Sequence, residues 1–196
     1  MLSKFKPAID NTTQKLVSPL TKVSPNLLTL IGIVPSILFY ILVLNHLYVW
    51  SLVAFLGNVF DTLDGAVAKR FNKQTPFGGF LDSTFDRIAD FFIIMSFAFA
   101  NIVTWQICVV LLVISYLVSY ARSRAELASG ARQIFAVGLI ERTERLAIIF
   151  LALLGYILFP NFTFAKLNFP ENIFIILILL STLTFLQRLI VAYRRL

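Results

Sequence analysis

Cysteine occurs once, at Cys108, and histidine once, at His46. A single thiol excludes an internal disulfide, and without a CxxC pair or a Cys/His ligand set neither zinc nor thiol redox chemistry is expected. His46 falls in a short expected loop with Tyr48 and Trp50 and reads as part of an interfacial anchor. Charge is scarce too: charged residues make up 14% of 196 positions, and Asp and Glu together number only 10. Against that stand 59% hydrophobic residues and a mean hydropathy of +0.86, which exclude an ordinary soluble fold and leave an all-α polytopic membrane protein. The first apolar run begins near Leu27 and is too long for a signal-peptide core, so no cleavable leader is expected. No linker, low-complexity tract or internal repeat divides the chain, which is read as one domain over residues 1–196.

Hydropathy predicts six spans, over residues 26–48, 50–71, 77–101, 104–125, 138–159 and 172–193. Ahead of them, residues 1–22 mix Lys4, Lys6, Lys15 and Lys22 with Leu2, Phe5, Ile9, Leu16 and Val17, as suits an amphipathic helix lying in the membrane surface. Ser24 and Pro25 supply a cap and a first helical position for span one. With the amino terminus inside, every Lys and Arg except Arg87 and Lys166 falls in the tail or at a cytoplasmic helix end. The expectation is a multi-pass protein of the cell membrane with both termini cytoplasmic. Its net charge of +7 then reflects topology, and no nucleic-acid module accompanies it.

The few acids are concentrated. Asp61, Asp64, Asp82 and Asp86 lie on two apolar segments, where a carboxylate at bilayer depth costs about 2.5–3.5 kcal/mol. On a helix over 51–71, Gly57, Asn58, Asp61, Asp64, Gly65 and Ala68 fall within about 60° of one direction. On the next helix Gly78, Asp82 and Asp86 share a face at spacings of four. The short connection makes the two helices antiparallel neighbours, so that the four carboxylates converge. Such a cluster needs cations, and oxygen-only donors suit Mg²⁺ or Mn²⁺, here as a two-ion site near the cytoplasmic face. Small residues around it leave room for a phosphorylated ligand. Arg122 and Arg145, at the cytoplasmic ends of spans four and five, add a basic cluster suited to a second phosphorylated substrate.

The run Asp61-x-x-Asp64-Gly65-x-x-Ala68-Lys69, eight residues, Gly78-x-x-x-Asp82-x-x-x-Asp86 resembles the signature of the CDP-alcohol phosphotransferases. It departs only at Lys69, where the family has Arg; the charge is kept and the bidentate fork is lost. Within that family, Leu81-Asp-Ser-Thr-Phe-Asp-Arg87, Tyr120-Ala-Arg122 to Glu126 and Gly138-Leu-Ile-Glu-Arg-Thr-Glu-Arg145 are similar to the phosphatidylinositol phosphate and archaetidylinositol phosphate synthases. Arg122 stands where Lys is common, and Thr143 where Pro is common.

The resemblance implies transfer of a phosphatidyl or archaetidyl group from CDP-diacylglycerol or CDP-archaeol to inositol phosphate, with release of CMP, in a homodimer. It implies that Asn26, Thr29, Gly65, Lys69 and Thr75 line the CDP-lipid site and that Asp86 takes the proton of the attacking hydroxyl. Ser119, Arg122, Arg124, Arg145 and Arg188 would contact the acceptor phosphate. Three alternatives stay open: the same chemistry on glycerol 3-phosphate, serine or free inositol; a divalent-cation channel or transporter using the four carboxylates; and a purely structural membrane subunit.

Overall fold

The structure, a computed structural model, describes residues 32–58, 75–130 and 137–196. These residues form six helices: α1 (Val34–Leu44), α2 (Tyr48–Leu56), α3 (Pro76–Phe99), α4 (Trp105–Ala128), α5 (Arg142–Leu158) and α6 (Phe169–Arg195). A small antiparallel hairpin, β1 (Thr163–Phe164) and β2 (Leu167–Asn168), precedes α6. Ala165 and Lys166 both have positive φ, as a two-residue hairpin turn requires. The all-helical expectation holds, and the hairpin adds an element that the hydropathy reading treats as loop. The expected interfacial helix over 1–22 and the second half of span two lie outside the described residues.

Phenylalanine builds the core. Phe150, Phe55, Phe39, Phe97 and Phe174 form a continuous file of ring contacts, with centroids 5.6, 5.3, 6.3 and 4.9 Å apart in turn. That file ties α5, α2, α1, α3 and α6 together, and Phe39, Phe97 and Phe174 are fully buried. Large rings in edge-on or tilted contact provide much dispersion without polar atoms to satisfy. Between them, Ser51, Ser96 and Ser115 bring helices close and return their hydroxyls to carbonyls of their own helices. The outer face of α6 carries Ile176, Leu179, Leu183, Leu186 and Ile190, all exposed.

Helix lengths follow local chemistry. Thr75 caps α3 by accepting from the Gly78 amide at 2.9 Å, with Pro76 in the first turn. Asn168 and Glu171 form a reciprocal capping box at the start of α6. Helices α4 and α6 are long and apolar enough to cross a membrane. At 24 residues α3 is as long as α4, but it carries Asp82, Asp86, Arg87 and Asp90.

The bundle has two distinct ends. At one, the Asn168 amide group donates to the Ile102 carbonyl, and the Thr104 amide donates to Glu171 Oε1 at 3.1 Å, joining the α3–α4 connection to the start of α6. At the other, the start of α5 meets the late turns of α4 and α6. Here α5 begins later than expected because Gly138 takes φ 153° and Glu141 is still extended as the N-cap. Thr184 of α6 accepts from the Ile140 amide at 3.1 Å and fixes this turn.

A side chain at position 138 would meet the Thr184 methyl group and would hold a backbone conformation that glycine favours. Gly138→Ala is therefore expected to cost about 1–3 kcal/mol. The check is the thermal midpoint of the purified protein in detergent; an unchanged midpoint would show that the turn has another conformation within reach.

Candidate active site

The second end of the bundle holds an open cleft of about 340 Å³. Its wall comes from Ser83, Asp86 and Arg87 early in α3; Val118, Ser119, Arg122, Ser123 and Glu126 late in α4; Glu141, Arg142, Thr143 and Arg145 at the start of α5; and Arg188 late in α6. Early turns of α3 and α5 thus meet late turns of α4 and α6, the alternation expected of antiparallel neighbours joined by short connections. Tyr116 braces the wall by donating to the Arg87 carbonyl at 2.6 Å.

Asp82, Asp86 and Asp90 form a file at spacings of four along α3, and they descend from surface to core. Asp82 is exposed, the Asp86 side chain is 19% exposed, and that of Asp90 is 4% exposed. Arg142 spans the lower two: its Nη1 lies 2.6 Å from Asp86 Oδ1, and its Nε donates to Asp90 Oδ1 at 3.1 Å. Arg145, 1% exposed, donates from Nη2 to Asp90 Oδ2 at 3.0 Å. One buried carboxylate therefore holds two guanidinium groups, one on each oxygen. The Nε of Arg145 is buried and, among the described residues, has no hydrogen-bond partner.

Arg188 plays a different part. It donates from Nε to the Val137 carbonyl and from Nη1 to the Val118 carbonyl, both at 2.7 Å, and its Nη2 lies 3.7 Å from Glu141. Those bonds tie the α5 approach to α4, so Arg188 builds the wall as well as charging it. Arg122 donates to Glu126 one turn on, at 2.9 Å. Among the described residues, five guanidinium groups face three carboxylates around the cleft, an excess of positive charge suited to a phosphate.

The structure brings together Ser119, Arg122, Arg145 and Arg188 of the expected acceptor set. Arg124 is exposed on α4 and does not line the cleft. Asp86 lies on the wall, with Asp82 exposed one turn earlier. Thr75, expected on the CDP-lipid side, is exposed and engaged as the α3 cap. Asp61, Asp64, Gly65, Lys69, Asn26 and Thr29 lie outside the described residues. Two participants went unassigned in the sequence. Asp90 continues the spacing of four beyond Asp86, a signal that was present; Arg142 is indistinguishable in sequence from a topological arginine.

Asp82 and Asp86 offer only oxygen donors, and no Cys or His lines the cleft. Their chemistry fits a hard divalent cation, with further carboxylates required to complete a coordination shell. Among the described residues no three potential ligands gather, so the expected cluster depends on Asp61 and Asp64.

Removing one partner from a buried ion pair strands the other. Arg145→Met is expected to destabilise the protein by about 3 kcal/mol or more, read as a fall in thermal midpoint. Adding Asp90→Leu to that variant is expected to recover part of the loss; a midpoint for Arg145→Met equal to wild type would refute the buried pairing.

The family described as CDP-alcohol phosphatidyltransferase matches residues 22–192. An archaetidylinositol phosphate synthase from Pyrococcus horikoshii is 37% identical over 199 residues, covering 100% of this chain and 98% of that protein. A phosphatidylinositol phosphate synthase from Mycobacteroides abscessus is 32% identical over 157 residues, covering 70% of this chain and 68% of its own. Among solved structures, the Mycobacterium tuberculosis phosphatidylinositol phosphate synthase with CDP-DAG bound matches with a TM-score of 0.74 and 25% identity, over 95% of this chain and 94% of that one. The same enzyme in complex with manganese and citrate matches with a TM-score of 0.70 and 27% identity, over 91% and 86%. These matches set aside the channel and structural-subunit alternatives. The chain belongs to the CDP-alcohol phosphatidyltransferase family and is a transferase of phospholipid biosynthesis.

Proposed function

We propose that this protein transfers a phosphatidyl or archaetidyl group from a CDP-lipid to inositol phosphate, releasing CMP. The observation that carries the reading is the arginine-walled cleft beside Asp82 and Asp86 on α3, which sets an anion site within reach of carboxylates suited to divalent ions. The named activities of the relatives, and the CDP-DAG bound by the matching mycobacterial structure, support the same assignment.

In this reading Asp61, Asp64, Asp82 and Asp86 hold two Mg²⁺ or Mn²⁺ ions; when bound, they supply charge stabilisation for the pyrophosphate and the departing CMP. Asn26, Thr29, Gly65, Lys69 and Thr75 bind the CDP-lipid. Arg122 and Arg145, with Ser119, hold the phosphate of the acceptor, and Arg188 keeps α4 and the α5 approach in register around it. Arg124, exposed on α4, belongs to the headgroup region rather than to the cleft. Asp86 takes the proton of the attacking inositol hydroxyl. That oxygen bonds to the lipid-bearing phosphorus as the bond from that phosphorus to the CMP oxygen breaks. Fixing the acceptor by its own phosphate lowers the entropic cost of bringing two substrates together.

The chain forms one domain of six spans preceded by an interfacial helix, with termini and active site on the cytoplasmic side, and it works as a homodimer. The distribution of Lys and Arg and the exposed apolar faces of α4 and α6 support this setting.

The primary test is CMP release from a CDP-lipid by the purified protein with Mg²⁺. Inositol phosphate, free inositol, glycerol 3-phosphate and serine are offered separately, with diacylglycerol and archaeol forms of the donor. Release with inositol phosphate alone is expected; preference for another alcohol would overturn the acceptor and leave the family chemistry. Asp86→Asn is expected to abolish turnover while CDP-lipid binding stays measurable, and wild-type turnover in that variant would remove the base assignment.

A further inference from the structure

Asp90 belongs to none of the expected ligand sets, yet it is the most deeply placed acid of the site. A carboxylate this far from water is retained only with strong partners, and Asp90 has two. Its Oδ1 accepts from Arg142 Nε at 3.1 Å and its Oδ2 from Arg145 Nη2 at 3.0 Å. Two guanidinium groups side by side repel each other, and at low effective dielectric that repulsion is large. The shared carboxylate keeps them adjacent.

The consequence is directional. A guanidinium carries five N–H donors in a rigid plane, so fixing one edge fixes where the others point. Asp90 takes a single donor from each arginine. Arg145 is left with Nε buried beside the cleft and, among the described residues, without a partner. Unsatisfied buried donors are uncommon in folded proteins and call for an explanation. Here a ligand oxygen entering the cleft supplies one.

We propose that Asp90 is a positioning residue of the reaction: it holds Arg142 and Arg145 as a preoriented pair, in which Arg145 receives the phosphate of the acceptor. This rests on the acceptor assignment above only in that the acceptor is phosphorylated. Asp90 touches no reacting atom and acts through the two arginines. It also ties the acceptor cleft to α3, the helix that carries Asp82 and Asp86, because the paired arginines stand on α5.

The test uses the full-length protein in detergent with two substitutions, Asp90→Asn and Asp90→Glu. The first removes the charge; the second keeps it and shifts the carboxylate by one methylene. Both are expected to raise KM for the phosphorylated acceptor about tenfold or more, with kcat changed less. KM for the CDP-lipid is expected to stay within about twofold. A second readout needs no turnover: inorganic phosphate is expected to raise the thermal midpoint of wild type and to lose that effect in both variants.

A lower midpoint is expected in either case; a merely structural Asp90 would disturb both substrates alike, which overturns the proposal. An Asp90 that only damps the positive charge of the cleft would give a lower acceptor KM in Asp90→Asn, which also overturns it. Should Asp90→Asn fail to fold, Asp90→Glu decides alone, and wild-type acceptor KM and phosphate response in that variant refute positioning. A wild type that uses a phosphorylated acceptor other than inositol phosphate overturns the assignment of the acceptor, while the comparison of variants still reads on Asp90.

Discussion

The buried pairing of Asp90 with Arg142 and Arg145 is the constraint around which this end of the bundle is built. Each of these charges would cost several kcal/mol if left alone away from water. Side chains from α3 and α5 must therefore arrive together, in register, or not at all. Arg188 imposes the same discipline between α6, α4 and the approach to α5, through two carbonyl oxygens rather than a carboxylate. The cleft is consequently a place where helices are held by charge, while the remainder of the bundle is held by phenylalanine. These two kinds of contact have different tolerances. A ring file such as Phe150 to Phe174 accepts small shifts at modest cost, but hydrogen-bonded charges lose their partners within a fraction of an ångström.

Segregating the two also explains the ends of the molecule. At the hairpin end, Asn168 and Glu171 satisfy the α3–α4 connection and the start of α6 with neutral or singly charged groups. At the cleft end five arginines accumulate among the described residues, partly offset by Asp86, Glu126 and Glu141. A ligand carrying phosphate completes that balance in a way that another side chain could not without filling the cleft.

Much of this was legible in the sequence, for identifiable reasons. Helices α3, α4, α5 and α6 begin and end within a few residues of the expected spans because long apolar runs punctuated by Thr75-Pro76, Thr104 and Asn168 leave few alternatives. The convergence of Arg122 and Arg145 followed from their place at the cytoplasmic ends of spans four and five, whereas Ser119 and Arg188 came from the family resemblance. Arg124 shows the limit of that argument: it lies two positions from Arg122 and so faces another way on the same helix. Asp90 was present as a spacing but not as a role, since a carboxylate four residues on from a metal-type pair is equally compatible with a ligand, a surface charge or a buried anchor. Only its burial and its two partners separate these. The hairpin before α6 left no hydrophobic alternation to read, being two residues per strand.

The file on α3 connects the two halves of the proposed chemistry. Successive members of a file at spacings of four are about 6 Å apart along the helix. Asp86 therefore stands one turn, and Asp82 two turns, from Asp90. Arg142 makes that proximity physical, since a single guanidinium reaches both Asp86 and Asp90. In the proposed chemistry Asp86 would hold a divalent ion, while here it pairs with Arg142, whose Nε is held by Asp90. On the proposed reading, one helix and one bridging side chain set the distance between the two substrates, the quantity that an enzyme joining two phosphorylated molecules has to control.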